Sequence, residues 1–124
     1  MIAGLILCAS LTAVDGDTVK CDGQNMRLLA EGVPFVSGID TPEIGSHAKC
    51  LKERKMALIS KGRLNELLAE KGLRVVFSGA VDRTPSHRRL VYIYRTNGEE
   101  IGKKLLREGF ARAWSPKQRN DWCD

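Results

Sequence analysis

Apolar and polar residues alternate from Leu7 to Val14. Leu7, Ala9, Leu11 and Ala13 fall on one face, and Cys8, Ser10 and Thr12 on the other. A period of two is that of a half-buried strand. Asp15-Gly16-Asp17 then marks a turn, and Thr18–Cys21 and Asn25–Leu29 read as strands joined by the hairpin signal Asp22-Gly23. Glu31-Gly32-Val33-Pro34 reads as a loop and Phe35–Ile39 as a short strand. From His47 to Lys71 the pattern turns helical. Cys50, Ala57, Leu64 and Leu68 form one stripe, Lys and Arg crowd the other faces, Gly62 weakens the centre and marks a kink, and Gly72 is a stop. Leu73–Phe77 and Leu90–Tyr94 read as strands either side of the polar loop Asp82–His87. Asn97-Gly98 is a turn, and Gly102–Glu108 a short helix ended by Gly109. Residues 115–124 read as an irregular tail.

Strands gathered before a helix, rather than alternating with helices, argue against a doubly wound sheet. The order predicts an α+β, mainly β domain. It is a five-stranded Greek-key barrel of the OB type with one long and one short helix. The 124 residues make one domain, 1–124, with no room for a second sizeable core. No apolar run approaches the roughly 20 residues of a membrane span, and no membrane partner is expected. Ile2–Ala9 is apolar, but it lacks the basic start and small-x-small cleavage site of a secretory leader. Any leader is expected to end near or before Leu5, with residues 1–6 at most its remnant. A formal charge of +5 allows a polyanionic partner without requiring one.

The four cysteines, Cys8, Cys21, Cys50 and Cys123, contain no C-x-x-C pair, which argues against a zinc ribbon or thioredoxin-type site. His47 and Cys50 stand three apart, yet a metal site would need two further ligands. An even count in a short chain suits two disulfides and a secreted or periplasmic setting. Sequence does not choose among the three possible pairings. Cys8 and Cys21 flank one hairpin, which favours that pair and leaves Cys50 with Cys123.

The residues that carry candidate chemistry are acids at strand ends and arginines near them. Asp17 ends a turn, Asp40 ends a strand, and Thr41 and Glu43 follow. Two aspartates and a backbone oxygen could supply part of a hard cation's oxygen shell, with Glu43 holding a water beside it. Taken alone, the same residues read as a hairpin turn and a helix start, with a capping Asp or Thr, then Pro, then an acid. Arg27 and Arg88 offer planar forks that match phosphate oxygens in pairs, although any single arginine reads equally as solvated surface.

The combination is more specific than its parts. Val14-Asp15-Gly16-Asp17-Thr18-Val19, Arg27-Leu28-Leu29 and Gly38-Ile39-Asp40-Thr41-Pro42-Glu43 occur in this order. Asp82-Arg83, Arg88, Leu90, Tyr92-Ile93-Tyr94 and Leu105–Ala111 follow. The series resembles the staphylococcal nuclease family from about Leu11 to Trp114. The resemblance implies an OB-fold carrying a Ca²⁺-dependent phosphodiesterase. Its substrates would be single- or double-stranded DNA and RNA, cut with little sequence specificity to leave 3′-phosphate ends. Residue by residue, it implies Asp17 and Asp40 as metal carboxylates, Thr41 as the backbone oxygen and Glu43 as general base. Arg27 and Arg88 correspond to the phosphate-binding arginines, and Asp15 to a nearby carboxylate outside the main ligand set. A monomer is expected.

Two departures stand out. Arg27 and Asp40 are thirteen residues apart, farther than the family's usual spacing, so Ala30–Ser37 reads as an insertion. The rival alignment keeps the strand unbroken and puts Phe35 in the arginine's place. On that alternative one phosphate clamp is missing. The alternative function, which the Ala30–Ser37 insertion beside Arg27 favours, is a non-catalytic nucleic-acid-binding OB domain. The Thr84–His87 loop is also longer than usual before Arg88.

Overall fold

The computed structural model describes residues 4–117 and 119–124. The eight strands are β1 (Leu5–Ile6), β2 (Leu11–Ala13), β3 (Thr18–Cys21), β4 (Gln24–Leu28), β5 (Gly38–Asp40), β6 (Arg74–Val81), β7 (Arg89–Tyr94) and β8 (Arg112–Trp114). Helix α1 spans Leu51–Leu68 and α2 spans Ile101–Arg107. One mixed sheet runs β1-β6-β7-β4-β3-β2, and β5 pairs with β8 in a separate two-stranded sheet. The edge strands β1 and β2 are separated only by residues 7–10, so the large sheet curls and brings its edges toward one another. The expected α+β, OB-like architecture is present. No described helix is long and apolar enough to cross a membrane.

The β3–β4 hairpin turns at Asp22 and Gly23, both with positive φ, the twist a two-residue hairpin needs. β4 runs parallel to β7, with Met26 opposite Arg89 and Arg27 opposite Leu90. Parallel neighbours need a long crossover. Here the β5–α1–β6 segment supplies it, and α1 packs on β2. The core lies between sheet and helices: Val19, Met26, Leu28, Ile39, Leu64, Val91, Ile93, Ile101 and Leu105 are all at most 1% exposed.

Several expected elements shift, each for a local reason. The expected Leu7–Val14 strand shrinks to β2, Leu11–Ala13, and a separate short strand, β1, precedes it at Leu5–Ile6. The N–H groups of Ala9 and Ser10 donate to the Asp22 carboxylate instead of to a neighbouring strand, and Cys8 bonds to Cys21. Leu5 and Ile6 pair with Val76 and Val75, while residues 1–3 of the expected leader remnant lie outside the described residues. The Phe35–Ile39 strand is displaced to Gly38–Asp40, because Phe35 has a positive φ of 67° and sits in a turn. The long helix is shorter than its pattern. Residues Gly45–His47 form one 3-10 turn, α1 starts after Cys50, and it continues through Gly62. Ala57, Leu64 and Leu68 are buried as the stripe predicts, but Glu53 and Ser60 share that face. Both are satisfied, Glu53 by the N–H groups of Glu43 and Lys49 and Ser60 by the Phe110 carbonyl. β8 was not anticipated. Both disulfides are formed, Cys8–Cys21 and Cys50–Cys123.

Glu100 caps α2 from a nearly sealed position, 1% exposed. Its carboxylate accepts from the N–H groups of Ile93 and Lys103. Burial pushes the carboxyl up to about 7 from an ordinary 4.5, against the pull of those N–H groups. Between these two values the folded chain keeps a proton that the unfolded chain has lost. Stability therefore falls as pH rises through that window, by on the order of 3 kcal/mol. Urea denaturation at a series of pH values from 4.5 to 8 should show this slope, and Glu100→Gln should remove Glu100's share of it.

Candidate functional site

The parallel register sets Arg88 directly before β7, at the same end of the sheet as Arg27 on β4. Thr18 pairs with Arg27 across β3–β4, which places Asp17 beside the Arg27 side chain. Arg27 Nη2 lies 3.4 Å from Asp17 Oδ2 and donates to the Ile39 carbonyl at 2.9 Å. Arg88 Nη1 donates to Thr18 Oγ1 at 2.9 Å, and Thr18 Oγ1 donates to Asp17 Oδ1 at 3.3 Å. A continuous chain of polar contacts thus runs Arg88–Thr18–Asp17–Arg27–Ile39, and Ile39 precedes Asp40. Asp82 fixes the far side of Arg88, accepting Nε at 2.7 Å and the backbone N–H at 3.0 Å, while also accepting the Thr84 hydroxyl. Burial works to raise Asp82, but the Arg88 and Thr84 bonds hold it below the usual carboxylate range.

The acidic side forms where the Asp15–Asp17 turn meets β5. Gly16 allows this approach: a Cβ there would stand 2.8 Å from Thr41 Cβ and 3.0 Å from Ser60 Cβ. Asp17 and Thr41 are buried, Asp15 and Asp40 half-buried, and Glu43 is exposed. Burial pushes Asp15 up to about 7, and the neighbouring Asp17 charge adds to the effect. Burial also raises Asp40. Hydrogen bonds from Trp122 and Asn120 pull it back, the Asp17 charge pushes it further, and Arg27 offsets part of this. Partial desolvation raises Glu43, followed by the charges of Asp17, Asp40 and Glu53. The Asp17 charge thus raises three carboxylate neighbours, a local excess of negative charge that a cation would relieve.

Among the described residues, no three His, Cys, Asp or Glu side chains converge as a metal cluster. The donors on offer are the Asp17 and Asp40 carboxylates and a backbone oxygen at Thr41, all of them oxygen. That set fits a hard cation that completes its shell with water, and does not fit a closed zinc-type site.

Beside the two arginines lies a cavity of about 510 Å³, lined by Arg27, Phe35, Asp82, Arg83, Arg88 and Trp114 among others. The Ala30–Ser37 segment folds as a compact turn over it. Gly32 N–H donates to the Leu29 carbonyl, Val33 N–H to the Ser37 hydroxyl, and the Tyr92 hydroxyl to the Gly32 carbonyl. Phe35 stacks on Arg83, 3.9 Å from guanidinium carbon to ring centroid. The segment turns outside the strands, Phe35 stacks on Arg83, and Arg27 sits against Asp17.

The structure therefore brings together Asp17, Asp40, Thr41, Arg27 and Arg88, with Glu43 on the solvent side of the same cluster. Sequence reading passed over Thr18, Glu53, Asn120 and Trp122. Thr18 looked like an ordinary strand residue. Asn120 and Trp122 lie in a tail without pattern, where the single usable signal was Cys123.

A curled mixed sheet with acidic side chains beside two anchored arginines defines a small OB-like domain. The sequence model of the staphylococcal nuclease homologue family matches residues 35–122, more than half of the chain, and the chain belongs to that family. The family is generally one of nucleases. The matched region includes Asp40–Glu43, Asp82 and Arg88. Asp15, Asp17 and Arg27 precede it and are tied to the site by the structure. No curated protein matches the chain.

Thr18 is 2% exposed and its hydroxyl is the junction of the polar chain. Thr18→Val should cost about 1–3 kcal/mol, because Arg88 and Asp17 each lose a buried partner. Urea denaturation of both forms at one pH measures the difference.

Proposed function

We propose that the chain is a calcium-dependent phosphodiesterase, a nuclease-like domain spanning residues 1–124 that hydrolyses DNA and RNA. The observation that carries the reading is the Arg27 guanidinium, bonded beside Asp17 and to the carbonyl preceding Asp40 despite the intervening insertion. Asp17, Asp40 and the Thr41 carbonyl would hold Ca²⁺, which when bound supplies positive charge to the phosphate oxygens. Arg27 and Arg88 grip non-bridging oxygens of the same phosphate through charge-assisted bonds and stabilise the charge that grows on them. Their forks are held in advance by Asp17, Ile39, Thr18 and Asp82, so little reorganisation accompanies the reaction. Glu43, exposed at the rim, orients a water and takes its proton as the oxygen attacks phosphorus. Its raised proton affinity suits that task. The phosphorus–O5′ bond breaks, the leaving oxygen takes a proton from solvent, and the 3′ side retains the phosphate.

These groups address phosphate and not base edges, so little sequence preference follows. The net charge of +5 attracts the polyanion and makes binding salt-sensitive. The two disulfides fit a secreted or periplasmic protein, acting as a monomer.

Purified protein should digest single-stranded DNA when Ca²⁺ is present and stop when a chelator is added. Glu43→Gln should lower the turnover number by about 10²–10³-fold while DNA binding at fixed salt stays close to the original. Intact DNA after incubation with excess Ca²⁺ would overturn the proposal, and cleavage by Glu43→Gln at the unaltered rate would remove Glu43 from the mechanism.

A further inference from the structure

The C-terminal tail reaches the acidic cluster by its own route. Trp122 Nε1 donates to Asp40 Oδ2 at 3.4 Å and Asn120 Nδ2 donates to the same oxygen at 3.3 Å. The indole is 3% exposed, so this contact lies inside the fold. Its ring is held by Arg112, whose guanidinium carbon stands 4.0 Å from the ring centroid. Arg112 is the β8 residue paired with Asp40 across the two-stranded sheet, and its Nη1 donates to the Asp121 carbonyl at 2.7 Å. Asn120 Nδ2 also donates to the Ala113 carbonyl. The next residue, Cys123, is bonded to Cys50, whose Sγ accepts the N–H of Glu53 at the start of α1. Glu53 in turn accepts the N–H of Glu43. The tail, the helix start and the Asp40–Glu43 segment are thus tied at one place.

We propose that this tail is a positioning element for Asp40: Trp122 and Asn120 hold Oδ2, leaving Oδ1 as the oxygen for a cation, and the Cys50–Cys123 bond keeps them there. The inference rests on the reading of Asp40 as a calcium ligand. A carboxylate held by donors on one oxygen loses little rotational freedom when it binds a metal through the other. Partners of this kind commonly govern metal affinity by factors of ten or more. Trp122 and Asn120 are positioning residues in this scheme and do not touch the substrate.

Calorimetric titration of Ca²⁺ into the full chain, without nucleic acid, tests it. Trp122→Phe keeps an aromatic ring for Arg112, smaller than the indole, and removes the Nε1 donor. It should weaken calcium binding about tenfold. The double variant Cys50→Ser/Cys123→Ser releases the tail by another route and should weaken binding at least as much. In the unaltered chain the indole N–H resonance of Trp122 should shift in step with calcium occupancy, a readout that loss of stability would not mimic. Unchanged affinity in Trp122→Phe, or an indole resonance that ignores calcium while the chain binds it, overturns this inference alone. No calcium binding by the unaltered chain overturns it together with the proposed function.

Discussion

One polar chain organises the molecule: a buried hydroxyl, Thr18, stands between the half-buried Arg88 guanidinium and the buried Asp17 carboxylate and bonds to both. Arg88, Thr18, Asp17, Arg27 and the Ile39 carbonyl come from the position just before β7, from β3, the turn before β3, β4 and β5. A half-buried guanidinium needs acceptors as much as a buried carboxylate needs donors. Satisfying both fixes the relative placement of four strands. The parallel pairing of β4 with β7 makes the arrangement possible, because it sets two arginines from distant parts of the sequence at the same sheet end.

Much of this could be read before folding. The hairpin of β3 and β4, the helix stripe of Ala57, Leu64 and Leu68, and the acids at strand ends all follow from short-range pattern and turn chemistry. What escaped was governed by long-range partners. Glu53 and Ser60 spoil the apolar stripe of α1 because their bonding partners lie ten and fifty residues away. The Leu7–Val14 alternation stops short because Asp22, more than ten residues on, captures two backbone N–H groups. β8 carries no pattern of its own, and its identity as a strand comes from Gly38–Asp40 across the ladder. The Ala30–Ser37 segment shows the same limit. Its length was visible, but whether Arg27 kept its place depended on β4 meeting β7.

The site combines two electrostatic regimes a few residues apart. Asp82 is held ionised by Arg88, a paired arrangement that locks a side chain in place. Asp15, Asp40 and Glu43 are each raised above their ordinary values by burial first and then by the charge of Asp17. A fold built for stability alone would avoid the second arrangement. Acids grouped in this way next to anchored arginines are the feature on which the proposed calcium and phosphate binding rests.

The Cys50–Cys123 bond joins residues 73 apart in sequence and closes a covalent loop that holds all of α1, β6, β7, α2 and β8. The exposed stretch at positions 83–87, the natural place for a protease to cut, falls inside that loop. A molecule nicked there remains one covalent assembly, with its tail still fastened to the start of α1. Separating the halves takes a reductant as well as a cut.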